Sequence, residues 1–160
     1  MNLVELALSR GVQLCTAESL TAGRVCASIA AWPGASKVLL GGLIAYQDQV
    51  KSQLLGVSPG LIESQSAVDP EVAAQLALGA QAKFSKAAGA NPAQILAIST
   101  TGVAGPDSVG IHSVGTVYIG VAFGDRLSVY AEQFAGDREQ ITSSTIERCL
   151  ELIREHLERI

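Results

Sequence analysis

The stretch VGTVYIGVAFGDRLSVYAEQF, residues 114–134, decides the fold. Val114 to Phe123 and Leu127 to Phe134 read as strands, with only Gly124-Asp125-Arg126 between them. So short a connection has no room for a crossover helix, so the pair is an antiparallel hairpin. Upstream of it, strands and helices alternate. Val12 to Thr16, Val38 to Tyr46 and Gln94 to Thr100 read as strands, the last strongly apolar. Alternation plus one hairpin predicts an α/β fold: a three-layer α/β/α sandwich with a mixed, partly antiparallel sheet. Residues 1–160 are expected to form one domain around one core.

The helices carry their own signals. Leu3, Leu6 and Ala7 suggest a short first helix ended by Gly11. Thr21 to Ala31 reads as a helix stopped before Pro33-Gly34, and Gln47 to Leu55 as a short one. Asp69-Pro70-Glu71 is a helix start: a capping Asp, Pro in the first turn, and an acid at the positive end of the dipole. Val72, Leu76, Ala80 and Phe84 line one side of that helix. Asp137 to Ile160 is the last helix, and Asp137 with Gln140 has the form of a capping box.

Composition narrows the function classes. Hydrophobic residues make up 48% of the 160, charged residues 16% and aromatics 4%, so the core must be built from Ala, Leu, Val and Ile. The net charge of -4 gives no basic face for nucleic acid. No apolar stretch approaches the roughly 20 residues of a membrane span. The first residues lack a signal-peptide pattern, so a cytoplasmic location is expected. Cys15, Cys26 and Cys149 are too widely spaced for a metal site and read as small buried hydrophobes. His112 and His156 are the only histidines available to a zinc site or a Ser-His triad. Neither a metal nor a cofactor is expected.

Three stretches follow strands and can carry chemistry, since ligands of α/β folds sit where strands end and helices begin. In Glu18-Ser19-Leu20-Thr21-Ala22-Gly23, Ser19 is either a displayed nucleophile or an ordinary helix cap, a role Thr21 also fits. The backbone N–H groups of Leu20, Thr21, Ala22 and Gly23 are candidates for an oxyanion hole. In Tyr46-Gln47-Asp48-Gln49-Val50-Lys51, Lys51 is either a solvated surface lysine or a desolvated base beside a serine. Thr101-Gly102-Val103-Ala104-Gly105-Pro106-Asp107 is either an anion cradle or a wide structural turn. Arg138 is a weaker candidate: a cation at a helix N-terminus either serves an anion or points into water.

Together these stretches resemble the CinA C-terminal-domain family, which includes the nicotinamide-nucleotide amidases. The family's Glu-Ser-Cys-Thr-Gly-Gly is similar to Glu18–Gly23, and its Pro-Gly-Ser-Ser to Pro33–Ser36. Its Gly-Gly…Tyr-Ser-Asn-Glu-x-Lys resembles Gly41-Gly42 with Tyr46 to Lys51, and its Ala-Val-Ser resembles Ala67-Val68-Asp69. Its Ser-Gly-x-Ala-Gly-Pro-Asp resembles Thr101–Asp107, its Val-Gly-Thr-Val is Val114–Val117, and its Gly-Asp-Arg is Gly136–Arg138.

The resemblance implies hydrolysis of nicotinamide mononucleotide to nicotinate mononucleotide and ammonia, with Ser19 as nucleophile, Lys51 as base and Tyr46 as a supporting hydroxyl. Thr101, Gly102 and Gly105 would line the nucleotide site. Arg138 would take the phosphate, with Lys37 or Arg24 as lesser options. It also implies a homo-oligomer, which the high apolar content favours too; from the charge and the apolar runs, no nucleic-acid or membrane partner is expected. Leu20 replaces the family's Cys, Ala22 its first Gly, and residues 108–113 lack its usual Gly-Gly and Lys-Pro pieces. Those departures favour the alternative, a non-catalytic nucleotide- or partner-binding domain of the same family. The larger members' additional N-terminal domain is not expected in this chain.

Overall fold

The hairpin forms one edge of a five-stranded sheet. The computed structural model describes residues 1–160. β4 (Thr116–Phe123) and β5 (Arg126–Gln133) are joined by a two-residue turn in which Gly124 has φ +61°, a conformation that suits glycine. β1 (Gln13–Glu18) lies between β2 (Leu39–Ile44) and β3 (Ile95–Gly102), parallel to both. β3 pairs antiparallel with β4, giving the order β2-β1-β3-β4-β5. The predicted mixed sheet and its three-layer α/β/α sandwich are therefore present.

Each face of the sheet has its own core. On one face, α1 (Leu3–Ser9), α2 (Arg24–Ala30) and α6 (Arg138–Glu158) cover Leu14, Leu96, Ile98, Val117, Ile119 and Val121. On the other, α3 (Asp48–Leu55), α4 (Pro59–Gln65) and α5 (Pro70–Ala88) cover Cys15, Ala17, Ile95, Ala97 and Ala122. Successive residues of β3 face opposite cores, as the pleat requires.

The second core is built from small residues, so α5 sits close to the sheet. The Ser99 hydroxyl donates to the Ala73 carbonyl at 2.6 Å, and a Cβ on Gly120 would lie 2.4 Å from that same oxygen. This is how a chain poor in aromatics closes its core. α3 packs on α5 equally tightly, since a Cβ on Gly79 would fall 2.0 Å from the Leu55 carbonyl oxygen. No helix is long and apolar enough to cross a membrane.

Several expectations shift at element ends. α5 starts at Asp69-Pro70 as read, with the Asp69 side chain accepting from Glu71 N–H. Asp137 and Gln140 form the full capping box of α6. β1, however, runs on to Glu18, and α2 begins only at Arg24. α4 was not anticipated, although Ser58 caps it and Pro59 opens it. Cys15 and Cys149 are buried as expected, but Cys26 is only half-buried, near the start of α2.

Gly79→Ala should destabilise the protein by about 1–3 kcal/mol in urea denaturation, because overpacking against the Leu55 carbonyl outweighs alanine's better helix propensity.

Candidate functional site

The site is organised by Glu18, the last residue of β1, whose side chain is 1% exposed. Its carboxylate accepts from the hydroxyls of Thr16 (2.9 Å) and Thr21 (2.7 Å). It also accepts from the backbone N–H groups of Gly23 (2.9 Å), Val25 (3.0 Å) and Cys26 (2.8 Å). An acceptor-only group meets five donors, three of them at the positive end of α2. The expected serine or threonine cap is therefore replaced by an acid reaching in from the strand. Gly23 occupies the N-cap position at φ +91° with no side-chain cap. The sequence reading passed over Glu18; an acid closing an apolar strand just before a helix start was the available signal.

With the helix start held by Glu18, Ser19 is left outside the capping scheme. Its N–H donates to the Thr100 carbonyl at 3.1 Å, which ties the ends of β1 and β3 together. Ala22 turns the chain at φ +48°, in the left-handed region. The Ala22 N–H donates to the Ser19 carbonyl and the Gly23 N–H to Glu18, so neither faces a ligand.

Beside this turn lies a pocket of about 370 Å³, in the range of small-molecule sites. Ser19, Leu20, Tyr46, Lys51, Thr101, Gly102, Gly105 and Arg138 line it, so these eight of the residues singled out from the sequence are brought together, while Arg24, paired with Glu139, and Lys37 do not line it. Thr21, Ala22 and Gly23 lie outside it. Asp48 and Asp107, which fall inside the stretches named from the sequence without a role of their own, line it as well, as do Ser66 and Val109. Ser66 has φ +84° and ψ 161°, a region that side chains rarely adopt, and such strain gathers at functional sites. Thr101 holds this strained segment down, its hydroxyl donating to the Ala67 carbonyl at 2.6 Å.

Two cations reach the pocket. Lys51 is not a solvated lysine: its side chain is 2% exposed. Its ammonium donates to the Tyr46 carbonyl at 2.9 Å and to Asp48 Oδ1 at 3.3 Å. Burial lowers its pKa from the usual 10.5, and the Asp48 carboxylate opposes that shift. Arg138 donates to the Gly105 carbonyl at 2.6 Å and to the Tyr46 hydroxyl, so it bridges two walls of the pocket. The histidines lie elsewhere: His156 meets the Tyr130 hydroxyl at 2.9 Å, and His112 sits on the loop after β3. No group of three or more His, Cys, Asp or Glu could hold a metal ion.

Comparison with known proteins places this arrangement. The family model described as the CinA C-terminal domain matches residues 1–157. A CinA-like protein of Solibacter usitatus is 37% identical over 90% of this chain. A putative competence-damage inducible protein of Caldicellulosiruptor saccharolyticus is 39% identical over 95%. The chain spans about a third of the length of these relatives, 33% and 35% respectively. The crystal structure of competence damage-inducible protein A from Klebsiella pneumoniae superposes with a TM-score of 0.85 at 26% identity, covering 99% of this chain and 98% of that one.

These findings correct the expected activity. The matched family is the CinA C-terminal domain, and the relatives named above carry CinA-like and competence-damage names rather than that of an amidase. The geometry gives the physical reason. Lys51 Nζ donates to the Tyr46 carbonyl and to Asp48 Oδ1, and no hydrogen bond joins it to the Ser19 hydroxyl, so the nucleophile–base contact that amide hydrolysis calls for is not formed. The nicotinamide-nucleotide amidase reading, with its enzyme class, does not hold for this chain.

Two outcomes are expected. Glu18→Ala leaves several buried donors unpaired and should cost roughly 3 kcal/mol or more in urea denaturation. Between the lowered Lys51 pKa and 10.5, the unfolded chain holds a proton that the native protein does not. Stability conferred through this group therefore rises with pH across that window. Lys51→Met should lack the rise when both proteins are denatured at successive pH values.

Proposed function

The chain belongs to the CinA C-terminal-domain family, and from that premise we propose that it is a non-catalytic binding domain for a phosphorylated mononucleotide, with nicotinamide mononucleotide as the test ligand. One observation carries the reading. Lys51 is a buried cation on the pocket wall, and only two of its three N–H donors are met by protein. A buried charge is costly unless paired, and the single carboxylate beside Lys51 lies at 3.3 Å and is itself largely exposed. A phosphate monoester supplies the missing acceptor and the missing charge.

The surrounding residues support a nucleotide rather than a bare anion. The pocket has room for more than a phosphate. Arg138 keeps unused guanidinium donors after serving Gly105 and Tyr46, so it can add a second charge-assisted bond. Asp107 lines the same pocket and offers acceptors for sugar hydroxyls. The Ser19 hydroxyl serves here as a hydrogen-bonding group. The reading takes residues 1–160 as the binding unit. It includes a cytoplasmic location, which three free thiols support. It also includes self-association, supported by Leu127 and Val129 standing exposed on edge strand β5.

Isothermal calorimetry tests it. Nicotinamide mononucleotide should bind more tightly than inorganic phosphate, with no ammonia released during the titration. Lys51→Met and Arg138→Ala should each weaken binding about tenfold or more, the scale of a lost charge-assisted bond. Absence of heat and of any thermal stabilisation with either ligand would overturn the reading.

A further inference from the structure

Lys51 has a chemical capacity that anion binding does not use. It is one of four lysines in the chain, and the other three, Lys37, Lys83 and Lys86, are exposed. Only Lys51 borders the pocket. Its stem is enclosed, its nitrogen is held by the Tyr46 carbonyl and Asp48, and the cavity beside it admits a small ring-sized molecule. We propose that Lys51 is a covalent capture site for phosphorylated aldehydes, forming an imine through its side-chain nitrogen while the phosphate is held by the cationic wall at Arg138.

The chemistry needs nothing beyond the aldehyde. The ammonium first gives up a proton, and Asp48 Oδ1, 3.3 Å away, stands where it can take it. Burial makes that loss easier than for an exposed lysine, since desolvation disfavours the charged form. The free electron pair on nitrogen attacks the carbonyl carbon. The new C–N bond forms as the carbonyl π bond opens, and one of the two nitrogen protons passes to the oxygen to give a neutral carbinolamine. That oxygen leaves as water with the remaining nitrogen proton, and a C=N bond remains. Carbon and nitrogen keep their oxidation levels, so no oxidant or reductant takes part. Nucleophilic lysines are activated in this way by desolvation in a pocket. The pocket also concentrates the aldehyde beside the nitrogen, which an exposed lysine cannot do.

The bond rests on Lys51 alone, whereas the phosphate anchor rests on the anion-binding reading above. The experiment separates them. The intact protein is incubated near neutral pH with pyridoxal 5′-phosphate, trapped with borohydride, and mapped by peptide mass spectrometry. The reduced adduct should form on Lys51 at least about tenfold faster than on Lys37, Lys83 or Lys86, which serve as controls in the same chain. Lys51→Arg, which keeps the charge but cannot form the imine, should lose that adduct while its circular dichroism stays unchanged.

Labelling spread evenly over the four lysines, or favouring the exposed three, overturns the capture site. Unphosphorylated pyridoxal and a nicotinamide mononucleotide competitor complete the design. If pyridoxal labels Lys51 as fast as its phosphate, the phosphate anchor at Arg138 is overturned together with the preference for phosphorylated aldehydes; if the competitor alone gives no protection, the anion reading fails and the capture site stands. If the mononucleotide binds by calorimetry while neither aldehyde labels Lys51, the capture site fails alone.

Discussion

The hydrogen bonds converging on the Glu18 carboxylate are the constraint on which the site depends. They fix the angle between three consecutive pieces of chain: the end of β1, the turn at Thr21 and the first turn of α2. A buried carboxylate is costly, and here its cost is offset by complete pairing and by the helix dipole it faces. The consequence reaches beyond stability. Because the helix is capped from the strand, the intervening loop is relieved of capping, and Ser19 and Leu20 are released to line a pocket.

What was legible in the sequence was local. The hairpin turn, the Asp69-Pro70 start and the Asp137–Gln140 box each work within four residues, and each is present, the turn one residue shorter than read because Arg126 already pairs with Phe123. The Ser58-Pro59 signal of α4 was equally local and was simply missed. What was illegible depends on partners far along the chain. For Arg138 the sequence offered a cation serving an anion or one pointing into water, because its own helix start disfavours it. Its acceptors are Gly105, 33 residues away, and Tyr46, 92 residues away. No periodicity or capping rule conveys such a pairing.

The same distinction explains why family was readable and reaction was not. Ordered motifs record which loops exist and in what sequence, and the structure gathers most of those loops around one pocket. Chemistry depends on where a side chain points. Lys51 lies one turn after Asp48 at the start of α3, a spacing that puts both on one helix face. Asp48 and the Tyr46 carbonyl take the ammonium, and the Ser19 hydroxyl makes no hydrogen bond to it. A one-dimensional pattern that places a serine and a lysine in the family's order cannot distinguish those two outcomes.

The distribution of cost through the molecule argues for ligand binding independently of any motif. Both sheet faces are covered by well-packed apolar side chains, and no buried side-chain polar atom lacks a partner. Against that background the unfavourable features gather in one place. Ser66 holds a strained backbone on the pocket wall, Ala22 holds a left-handed one in the adjoining turn, and Lys51 places a charge on the pocket wall where burial opposes it. Each would be relieved by a simple substitution: glycine at 22 and 66, a long apolar side chain at 51. A fold this consistent elsewhere has no packing reason to keep them. The charge at Lys51 is the one of the three that a ligand can repay directly, since an anion in the pocket turns a desolvation cost into a charge-assisted bond. On the proposed reading, folding and binding would be coupled through that one ammonium group, because the desolvation that opposes its charge in the folded chain is what strengthens its bond to an anion.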